Sequence, residues 1–346
     1  MLTFKELRVP GYERVSSFSN ATANLHGVVA IHSTVRGPGA GGCRMWRYGS
    51  GEEATADALR LAEGMSRKNA MADLPLGGAK AVIMAPAAAD RWELFAAFGE
   101  VVEQLGGAYI TAEDVGTSVD DMRHVARTTS FVSGITSGDP SPWTARGVFF
   151  ALREAVRMRL GRDDLQGLRV AVQGAGHVGS AICRLLRQAG AELTISDLDA
   201  AALRRLAREV GAKIVPPHRI LDVACNVFAP CALGNALDDD AMPRLSAAVV
   251  CGAANNQLSS DKVGHALHVH NILYVPDYIA NAGGIISVAG EYLNWTRGEV
   301  EARVAALPFR VREIVAESLR QGRPPHLVAD ALAARRLKPL QPAAVR

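Results

Sequence analysis

The chain has 346 residues, more than one hydrophobic core usually organises, and this length favours two domains. Apolar residues make up 49% of the chain and charged residues 21%, with a formal net charge of +3, as in ordinary soluble globular proteins. Lysine and arginine alternate with acidic residues, which argues against nucleic-acid binding. No apolar run approaches the roughly 18 residues of a membrane span, so we expect no membrane association.

The cysteines and the N-terminal residues indicate the compartment. The five cysteines are an odd number without CxxC spacing, which argues against a disulfide framework and against a metal site. The first residues lack the apolar segment of a signal peptide. We therefore expect a cytoplasmic protein without a bound metal.

The first part of the chain alternates strand-like and helix-like patterns. Apolar β-rich runs predict strands at residues 25–32, 81–84 and 109–111, and helical periodicity predicts helices at 52–66 and 91–105. The turn-rich segment 137–143 contains two prolines and a glycine, so we place a hinge or domain boundary there.

The second part shows the order strand, helix, strand. Helices are predicted at residues 145–159 and 178–189, and strands at 169–173, 192–196, 227–228, 248–251 and 273–274. Strands that alternate with helices imply a parallel sheet covered on both faces. The tail after residue 294 is helical in pattern.

Together these patterns predict an α/β fold with two domains separated by a cleft. Residues 1–140 would form an α/β substrate-binding, catalytic and oligomerisation domain. Residues 141–310 would form a Rossmann-type dinucleotide-binding domain. The C-terminal helices, 311–346, would pack back on the first domain.

A glycine motif marks the predicted cofactor site. Gly174, Gly176 and Gly179 have GxGxxG spacing between an apolar strand and an amphipathic helix. The glycines permit a tight turn, a close approach to a pyrophosphate and close helix packing, and the helix N-terminus favours the phosphate charge. Ala175, His177 and Val178 would complete the cofactor-binding turn. The alternative is a strand–helix turn that binds nothing.

Asp197 indicates which dinucleotide would bind. It lies 23 residues after Gly174, the offset expected of an acid that binds the adenosine ribose hydroxyls. A carboxylate there repels a 2′-phosphate, and no arginine is adjacent to neutralise one. The predicted cofactor is therefore NAD rather than NADP.

Two lysines and an aspartate in the first part are candidates for chemistry. Lys80 precedes the apolar run AVIM, so its stem should lie among apolar side chains, and burial there would lower its pKa toward that of a general base. Lys68 lies in GMSRKNA, and Asp114 follows a strand and could exchange a proton. For any one of them, a surface charge or an ion pair is the alternative.

Nine ordered motifs resemble signatures of the Glu/Leu/Phe/Val dehydrogenase family, with the leucine dehydrogenases nearest. The motifs, within a match that runs from about residue 37 to residue 289, are GPGAGGCRMW, GMSRKNA, LPLGGAKAVI, YITAEDVGTSVDDM, GDPSPWTARGVF, VQGAGHVG, FAPCALG, CGAANNQL and PDYIANAGG. The resemblance implies a reversible NAD-dependent oxidative deamination of an apolar L-amino acid, of leucine, valine or isoleucine type, to the 2-oxo acid and ammonia.

The resemblance also implies residue roles. Lys68 would bind the substrate carboxylate, Lys80 would be the base, and Asp114 would exchange protons with the amino group. Gly41 and Gly42 would let backbone amides approach the substrate. The remaining implied contacts are Thr144 with the nicotinamide carboxamide and Asn255 with substrate and cofactor.

The resemblance places Ala40 in the substrate pocket, at a position where leucine dehydrogenases carry Leu, and Val288 on the same wall. The small Ala40 side chain keeps an aromatic, phenylalanine- or tryptophan-type dehydrogenase as an alternative. A non-catalytic NAD-binding regulator is a third hypothesis, disfavoured because it needs neither lysine. His177 would line the cofactor turn without catalytic function, and Cys231 would be a packed small residue.

An oligomer is expected from the resemblance and from the apolar strand at residues 28–31, interpreted as lying near a sheet edge. A bare edge invites uncontrolled pairing, and a subunit interface would bury it.

Overall fold

The structure is a computed structural model that describes residues 1–88, 90–232 and 234–338. The chain forms two compact units. Unit 1 comprises Met1–Gly138, Val288–Trp295 and the described residues from 333 on. Unit 2 comprises Asp139–Ser287 and Thr296–Leu332.

Unit 1 contains a mixed sheet with helices on its faces. Its strands are β1 (Leu2–Leu7), β2 (Arg14–Asn20), β3 (Leu25–Ser33), β4 (Gly39–Ala40), β5 (Cys43–Trp46), β6 (Gly77–Met84) and β7 (Tyr109–Ile110). Its helices include α1 (Gly51–Met71), α2 (Arg91–Gln104) and α3 (Val119–Val125). The strand order is β1-β2-β3-β6-β4-β7, and β5 pairs with β6. The strands β1, β2, β3 and β6 are antiparallel, whereas β4 and β5 run parallel to β6.

The two faces of this sheet are covered by different helices. Ala54, Ala58 and Ala62 recur every four residues on α1, and this small-residue stripe packs with Val28 and Val82 on one face. The other face forms a larger core with α2. Residues Gly77–Ile83 of β6 are all buried, as expected for a strand covered on both sides.

The edge of this sheet is not where the sequence analysis placed it. Residues 28–31 were expected near an edge, which is wrong, because β3 pairs with β2 on one side and with β6 on the other. The exposed end of the strand order is β1. The two N-terminal strands contain many polar residues, such as those of RVSSFSN in β2. Their apolar pattern is therefore weak, and the sequence did not predict that a strand pairs with β3 on that side.

Unit 2 is built on a parallel sheet. Its strands are β8 (Arg169–Gln173), β9 (Glu192–Ser196), β10 (Lys213–Ile214), β11 (Val227–Pro230), β12 (Val249–Val250) and β13 (Leu273–Tyr274), in the order β10-β9-β8-β11-β12-β13. This is the doubly wound order of dinucleotide-binding domains. The first three strands run outward from β8 to β10 on one side of the sheet, and the next three run outward from β11 to β13 on the other side. The predicted α/β fold class with a Rossmann-type domain is confirmed.

The helices after residue 138 are α4 (Ser141–Leu160), α5 (His177–Gln188), α6 (Ala200–Val210), α7 (Asp261–Val269), α8 (Asp277–Ala280), α9 (Gly283–Tyr292), α10 (Arg297–Ala305), α11 (Leu307–Gln321) and α12 (Pro325–Arg336). Glycines in the left-handed conformation end α4 and α6, at Gly161 (φ 65°) and Gly211 (φ 64°). The side chain of Asp199 accepts hydrogen bonds from the first turn of α6, so the end of β9 leads directly into a capped helix.

The C-terminal helices differ from the expectation that residues 311–346 return to the first domain. Residues through Leu332 belong to unit 2, and residues 333–338 belong to unit 1. Helix α11 packs against α4, with Val311 and Ile314 buried, and Arg312 Nε donates to Glu154 Oε1 at 2.9 Å. The apolar face of α11 thus packs on α4, within unit 2. Residues 339–346 lie outside the described residues.

Within the described ranges, every helix is too short or too polar to cross a bilayer. The same residues contain no cluster of three or more His, Cys, Asp or Glu arranged to hold a metal ion. The cysteines are free thiols.

Candidate active site

A buried ion pair in unit 1 joins the middle of β6 to the loop after β7. Lys80 Nζ is 3.0 Å from Asp114 Oδ2, and the Lys80 side chain is only 5% exposed. Sequence analysis expected apolar surroundings for Lys80, and its neighbours Ala79 and Ala81 in β6 are indeed fully buried. The ammonium itself faces a carboxylate, so the two proposed reacting groups lie in direct contact.

Arg44 is a second cation on the same carboxylate. Its Nε donates to Asp114 Oδ2 at 2.9 Å, and its Nη1 donates to Asp57 Oδ2 at 3.2 Å. The Tyr48 hydroxyl donates to the same Asp57 oxygen at 2.7 Å. Lys80, Asp114, Arg44, Asp57 and Tyr48 therefore form one connected polar network in unit 1.

This network favours the ionised form of Asp114. Burial acts to raise the pKa of this carboxyl, but the charges and hydrogen bonds of Lys80 and Arg44 outweigh it, and the pKa lies below its ordinary value. The pKa of Asp57 is lowered in the same way, against burial, by Tyr48, Arg60 and Arg44. Asp114 is therefore held as an anion by its two cationic neighbours.

Sequence reasoning missed the outer part of this network. Arg44 lies inside the GGCRMW motif, but its partners Asp57 and Asp114 are 13 and 70 residues away along the chain. No local pattern predicts such pairings. The available signal is the charged residue directly beside the fully buried Cys43 in β5.

The loop that carries Asp114 is fixed by short-range bonds. The Asp114 N–H donates to Thr117 Oγ1 at 2.8 Å, and the Thr117 hydroxyl lies 2.9 Å from the Cys43 carbonyl. Gly116 has a φ of 81°, which only glycine adopts readily. The carboxylate thus projects from a rigid turn held to β5.

Gly41 and Gly42 have a packing reason for lacking side chains. A Cβ at Gly41 would lie 1.9 Å from the Ala79 carbonyl oxygen, and one at Gly42 would lie 2.4 Å from that of Glu113. The glycines therefore let the chain between β4 and β5 pass close to β6 and to the Asp114 loop. Their predicted contact with substrate stays a prediction.

Lys68 and Ala40 lie on either side of a buried asparagine. Lys68 is a partly buried residue in the last turn of α1, and Ala40 is a buried residue of β4. Asn69 Nδ2 donates to the Gly77 carbonyl at 2.5 Å and to that of Ala40 at 3.4 Å. Asn69 Oδ1 is buried without a partner. Helix α1 is therefore anchored beside the strand that carries Ala40.

Val288 packs beside the segment 133–134. The Ser133 hydroxyl donates to the Val288 carbonyl at 2.7 Å, and the Val288 methyls are 3.9–4.0 Å from where a Cβ of Gly134 would lie. Glu291, one turn later, accepts from the N–H groups of Ile135, Thr136 and Ser137 at 2.8, 3.0 and 2.6 Å. These bonds fix Val288 next to the segment 133–137.

The glycine motif of unit 2 forms the turn from β8 into α5. Gly174 has a φ of 103°, and a Cβ at Gly179 would lie 2.1 Å from the Gly174 carbonyl oxygen. Gly176 is the N-cap of α5, without a side-chain cap, and a Cβ there would meet nothing within 4 Å. The first N–H groups of α5 thus border an open space, the arrangement that binds phosphate.

Asp197 lies at the end of β9, beside this turn. Its Oδ2 accepts from the Ala175 N–H at 2.5 Å, and its Oδ1 accepts from the Asp199 N–H at 2.8 Å. Each oxygen retains a further lone pair for a ribose hydroxyl. Leu198 beside it is 89% exposed and offers an apolar surface. The glycine cradle and this acid therefore fit a dinucleotide with a free 2′-hydroxyl.

His177 and Cys231 flank the same turn. The His177 side chain is 87% exposed, and its Nδ1 is 3.8 Å from Asp139 Oδ2. Cys231 packs against the turn, with its Cβ 3.4 Å from the Cβ position at Gly179, and burial raises the pKa of its thiol to about 12. A thiol held neutral in this way is a packing residue and a poor nucleophile.

Thr144 and Asn255 have defined neighbours in unit 2. Thr144 lies in the first turn of α4, where its hydroxyl donates to the Pro140 carbonyl at 3.2 Å. Asn255 is exposed, and its Oδ1 accepts from Asn281 Nδ2 at 2.8 Å. Asn281 is 4% exposed and also donates to the Ala253 carbonyl at 3.1 Å, so it fixes the orientation of the Asn255 amide.

Two family descriptions match this chain. Residues 13–131 match the Glu/Leu/Phe/Val dehydrogenase dimerisation domain. Residues 137–205 and 199–338 match the Glutamate/Leucine/Phenylalanine/Valine dehydrogenase domain.

Known relatives cover nearly the whole chain. Leucine dehydrogenase of Bacillus cereus is 43% identical over 344 residues, 98% of this chain and 94% of the relative. Valine dehydrogenase of Streptomyces virginiae is 41% identical over 336 residues, 94% of both chains. The crystal structure of L-tryptophan dehydrogenase from Nostoc punctiforme superposes with a TM-score of 0.86 at 36% identity, covering 94% of this chain and 96% of that chain.

The chain belongs to the Glu/Leu/Phe/Val dehydrogenase family. It is therefore an amino-acid dehydrogenase, an oxidoreductase that acts on CH–NH₂ groups and depends on a pyridine nucleotide. The resemblance stated from its motifs is confirmed.

Proposed function

We propose that this protein catalyses the reversible, NAD-dependent oxidative deamination of an apolar L-amino acid of leucine, valine or isoleucine type, giving the 2-oxo acid and ammonia. The observation that carries the proposal is the pair formed by Lys80, on the buried strand β6, and Asp114, 3.0 Å apart. In the proposed reaction the amino acid, NAD⁺ and water give the 2-oxo acid, ammonium, NADH and a proton. The proposal assigns the substrate to unit 1 and the dinucleotide to unit 2.

The proposed roles follow from the charge of each group. When bound, NAD accepts a hydride from the substrate α-carbon. Asp114, ionised in this structure, accepts a proton from the substrate ammonium and later returns one to the departing ammonia. Lys68 holds the substrate carboxylate through its ammonium group. Lys80 removes a proton from the water that adds to the imine carbon, and its cationic form stabilises negative charge on the carbonyl oxygen.

The residues of unit 2 support the choice of NAD. Gly174, Gly176 and Gly179, with Ala175, His177 and Val178 between them, would cradle the pyrophosphate at the N-terminus of α5. The Asp197 carboxylate would bind the ribose hydroxyls and repel a 2′-phosphate. Thr144 would hold the nicotinamide carboxamide, and Asn255 would contact both substrate and cofactor.

The apolar substrate class rests on the leucine and valine dehydrogenases, which are 41–43% identical to the chain. Ala40, Gly41, Gly42 and Val288 would line the pocket. An aromatic substrate is a second candidate because Ala40 has a small side chain and L-tryptophan dehydrogenase of Nostoc punctiforme is 40% identical over 298 residues. That relative is aligned over 85% of this chain, less than the leucine dehydrogenase.

A substrate panel tests the proposal. The purified protein is incubated with NAD at alkaline pH and with leucine, valine, isoleucine, phenylalanine, tryptophan or glutamate in turn, and NADH formation is followed at 340 nm. We expect the highest kcat/KM with a branched aliphatic substrate and none with glutamate. The highest kcat/KM with phenylalanine or tryptophan would select the aromatic alternative. Binding of NAD without turnover of any amino acid would instead favour a regulator.

We also propose a homo-oligomer in the cytoplasm. The family description of residues 13–131 as a dimerisation domain supports assembly through unit 1, with β1 rather than residues 28–31 as the available sheet edge. Sedimentation velocity at micromolar concentration tests this, and a sole monomer peak would contradict it.

A further inference from the structure

The proposed catalytic Asp114 has two cationic partners, and both use the same carboxylate oxygen. Lys80 Nζ and Arg44 Nε contact Oδ2 at 3.0 and 2.9 Å. Among the described residues, both ionic contacts of Asp114 are made through this one oxygen. If Lys80 moves away from Asp114, the contact from Arg44 remains.

Arg44 is itself held by a second carboxylate. Its Nη1 contacts Asp57 on α1 at 3.2 Å, and Asp57 also accepts the Tyr48 hydroxyl at 2.7 Å. The side chains of Arg44 and Asp57 are 22% and 17% exposed, so this pair is shielded from screening by salt. A planar guanidinium can use two nitrogens on two carboxylates at once, whereas a lysine ammonium is a single point charge.

We propose that Arg44 is a positioning residue for Asp114: it holds the carboxylate in place through Oδ2 while the substrate engages Lys80. The inference rests on the proposed function for its catalytic consequence. In that reaction Lys80 must turn to water and to the 2-oxo group, and its bond to Asp114 is weakened at that step. Arg44 has no proposed contact with water or with the 2-oxo group. Asp57, which also binds the Tyr48 hydroxyl, fixes the position of the Arg44 guanidinium.

The electrostatic consequence has a definite sign. Among the described residues, the groups that face Asp114 are the cations Lys80 on β6 and Arg44 on β5 and the neutral side chains of Cys43, Tyr48 and Tyr109, with Asp57 on α1 behind Arg44. Arg44 is one of only two cations in this set, and it lowers the pKa of Asp114 together with Lys80. Removal of the guanidinium must raise that pKa and shift the protonation of Asp114 to higher pH.

The chain offers a matched control for this inference. Arg60 Nη2 contacts Asp57 at 2.6 Å, as Arg44 does, but no contact joins Arg60 to Asp114 in the described residues. Arg60 is 53% exposed, and an exposed pair three residues apart contributes little. The substitutions Arg44→Gln and Arg60→Gln therefore both remove a cation from Asp57, and only the first removes one from Asp114.

The main experiment is a pH profile combined with a double-mutant cycle. We expect Arg44→Gln to lower kcat/KM for the amino acid by about 10- to 100-fold, as expected of a misplaced catalytic group, and to move the acid limb of the profile to higher pH. Arg44→Lys should restore part of the shift in the acid limb but only part of the lost kcat/KM.

The effect of Arg44→Gln should largely vanish in an Asp114→Asn background, and Arg60→Gln should keep the wild-type pH profile. NADH affinity, measured by fluorescence titration, should be unchanged in both arginine variants.

Two kinetic outcomes would overturn the inference: a wild-type acid limb in Arg44→Gln, or an Arg44→Gln effect that adds in full to that of Asp114→Asn. Crystal structures of the wild type and Arg44→Gln at one pH provide a readout independent of turnover. Displacement of Asp114 Oδ2 from Lys80 in the variant supports the positioning role, and an unmoved carboxylate contradicts it. If the wild type oxidised no amino acid, the proposed function would fail, while these structures would still decide whether Arg44 positions Asp114.

Discussion

The carboxylate of Asp197 accepts a 2.5 Å hydrogen bond from the backbone N–H of Ala175, which joins the end of β9 to the glycine turn after β8. The same side chain accepts the N–H of Asp199 and so also fixes the start of α6. Asp197 therefore fixes the glycine turn and is also the acid proposed to bind the adenosine ribose hydroxyls.

Replacing Asp197 should weaken discrimination against NADP. We expect Asp197→Ser to lower kcat/KM for NAD and to narrow the NAD-to-NADP ratio by at least about ten-fold, because the repulsion of a 2′-phosphate is removed. The measurement is kcat/KM for each dinucleotide at a saturating amino-acid concentration.

Asp199→Asn is the control for that experiment. Its side chain caps α6 through the N–H groups of Ala201 and Ala202, and asparagine is also a good cap. This variant removes a nearby negative charge but leaves Asp197 in place, so its NAD-to-NADP ratio should change far less. Equal changes in the two variants would mean that Asp197 does not read the ribose.

The two lysines of unit 1 should differ in their kinetic effect. Lys80→Ala should abolish turnover because it removes the proposed base, while NAD binding survives because the glycine turn lies in unit 2. Lys68→Ala should mainly raise KM for the amino acid, since a carboxylate contact acts in the ground and transition states alike. Steady-state kinetics with NADH titrations measure both. Most of the wild-type rate in Lys80→Ala would show the base to be misassigned.

The size of residue 40 should affect substrate preference. Ala40→Leu adds three carbons at a buried position of β4, and the overpacking that it imposes on a bulky substrate costs about 1–3 kcal/mol. The ratio of kcat/KM for phenylalanine to that for leucine should therefore fall by about ten-fold or more. Ala40→Gly, which removes volume, should not lower this ratio. An unchanged ratio in Ala40→Leu would show that residue 40 does not line the pocket.

Glu291 should make the segment 135–137 sensitive to acid. Partial burial opposes ionisation of Glu291, but the N–H groups that it accepts lower its pKa below the ordinary 4.5. Because the folded pKa is the lower one, the stabilisation is fully present above the unfolded pKa and is lost as the pH falls through the folded value. Hydrogen exchange of the Ile135, Thr136 and Ser137 amides measures this local stability.

We expect Glu291→Gln to speed the exchange of these three amides by about ten-fold near neutral pH, because a charge-assisted hydrogen bond becomes a neutral one. Glu301→Gln is the control, since Glu301 is an acidic residue that pairs with Arg146 and Arg297 within unit 2. Equal exchange in the wild type and in Glu291→Gln would contradict the role of the carboxylate.

The sequence predicted those parts of the fold that depend on local pattern. The strands at 169–173 and 192–196 are found at those residues, because each is a short apolar run ended by a glycine turn or a helix cap. The strands β1 and β2 were missed because their apolar residues alternate with serines and charges. The interior position of β3 depends on its pairing with β6, some fifty residues away, which no local signal records.

The same distinction applies to the candidate site. Lys80 could be found because an ammonium beside an apolar strand is unusual, and Asp197 because its distance from the glycines is set by one βαβ unit. Arg44 and Asn281 could not be found in this way. Each acts through a side chain that is remote in sequence, and only the folded chain brings Arg44 to Asp114 or, within unit 2, Asn281 to Asn255.

The chain passes between the two units four times, after Gly138, Ser287, Trp295 and Leu332. A fragment that ended at Gly138 would lack the short segment carrying Val288 and Glu291, and its residues 135–137 would lose their hydrogen-bond acceptor. Exchange of the dinucleotide-binding half between two such enzymes therefore requires four splice points rather than one. Recombination by a single crossover after Gly138 would combine residues 1–138 of one parent with the segment Val288–Trp295 of the other, so the proposed substrate pocket would come from two different proteins.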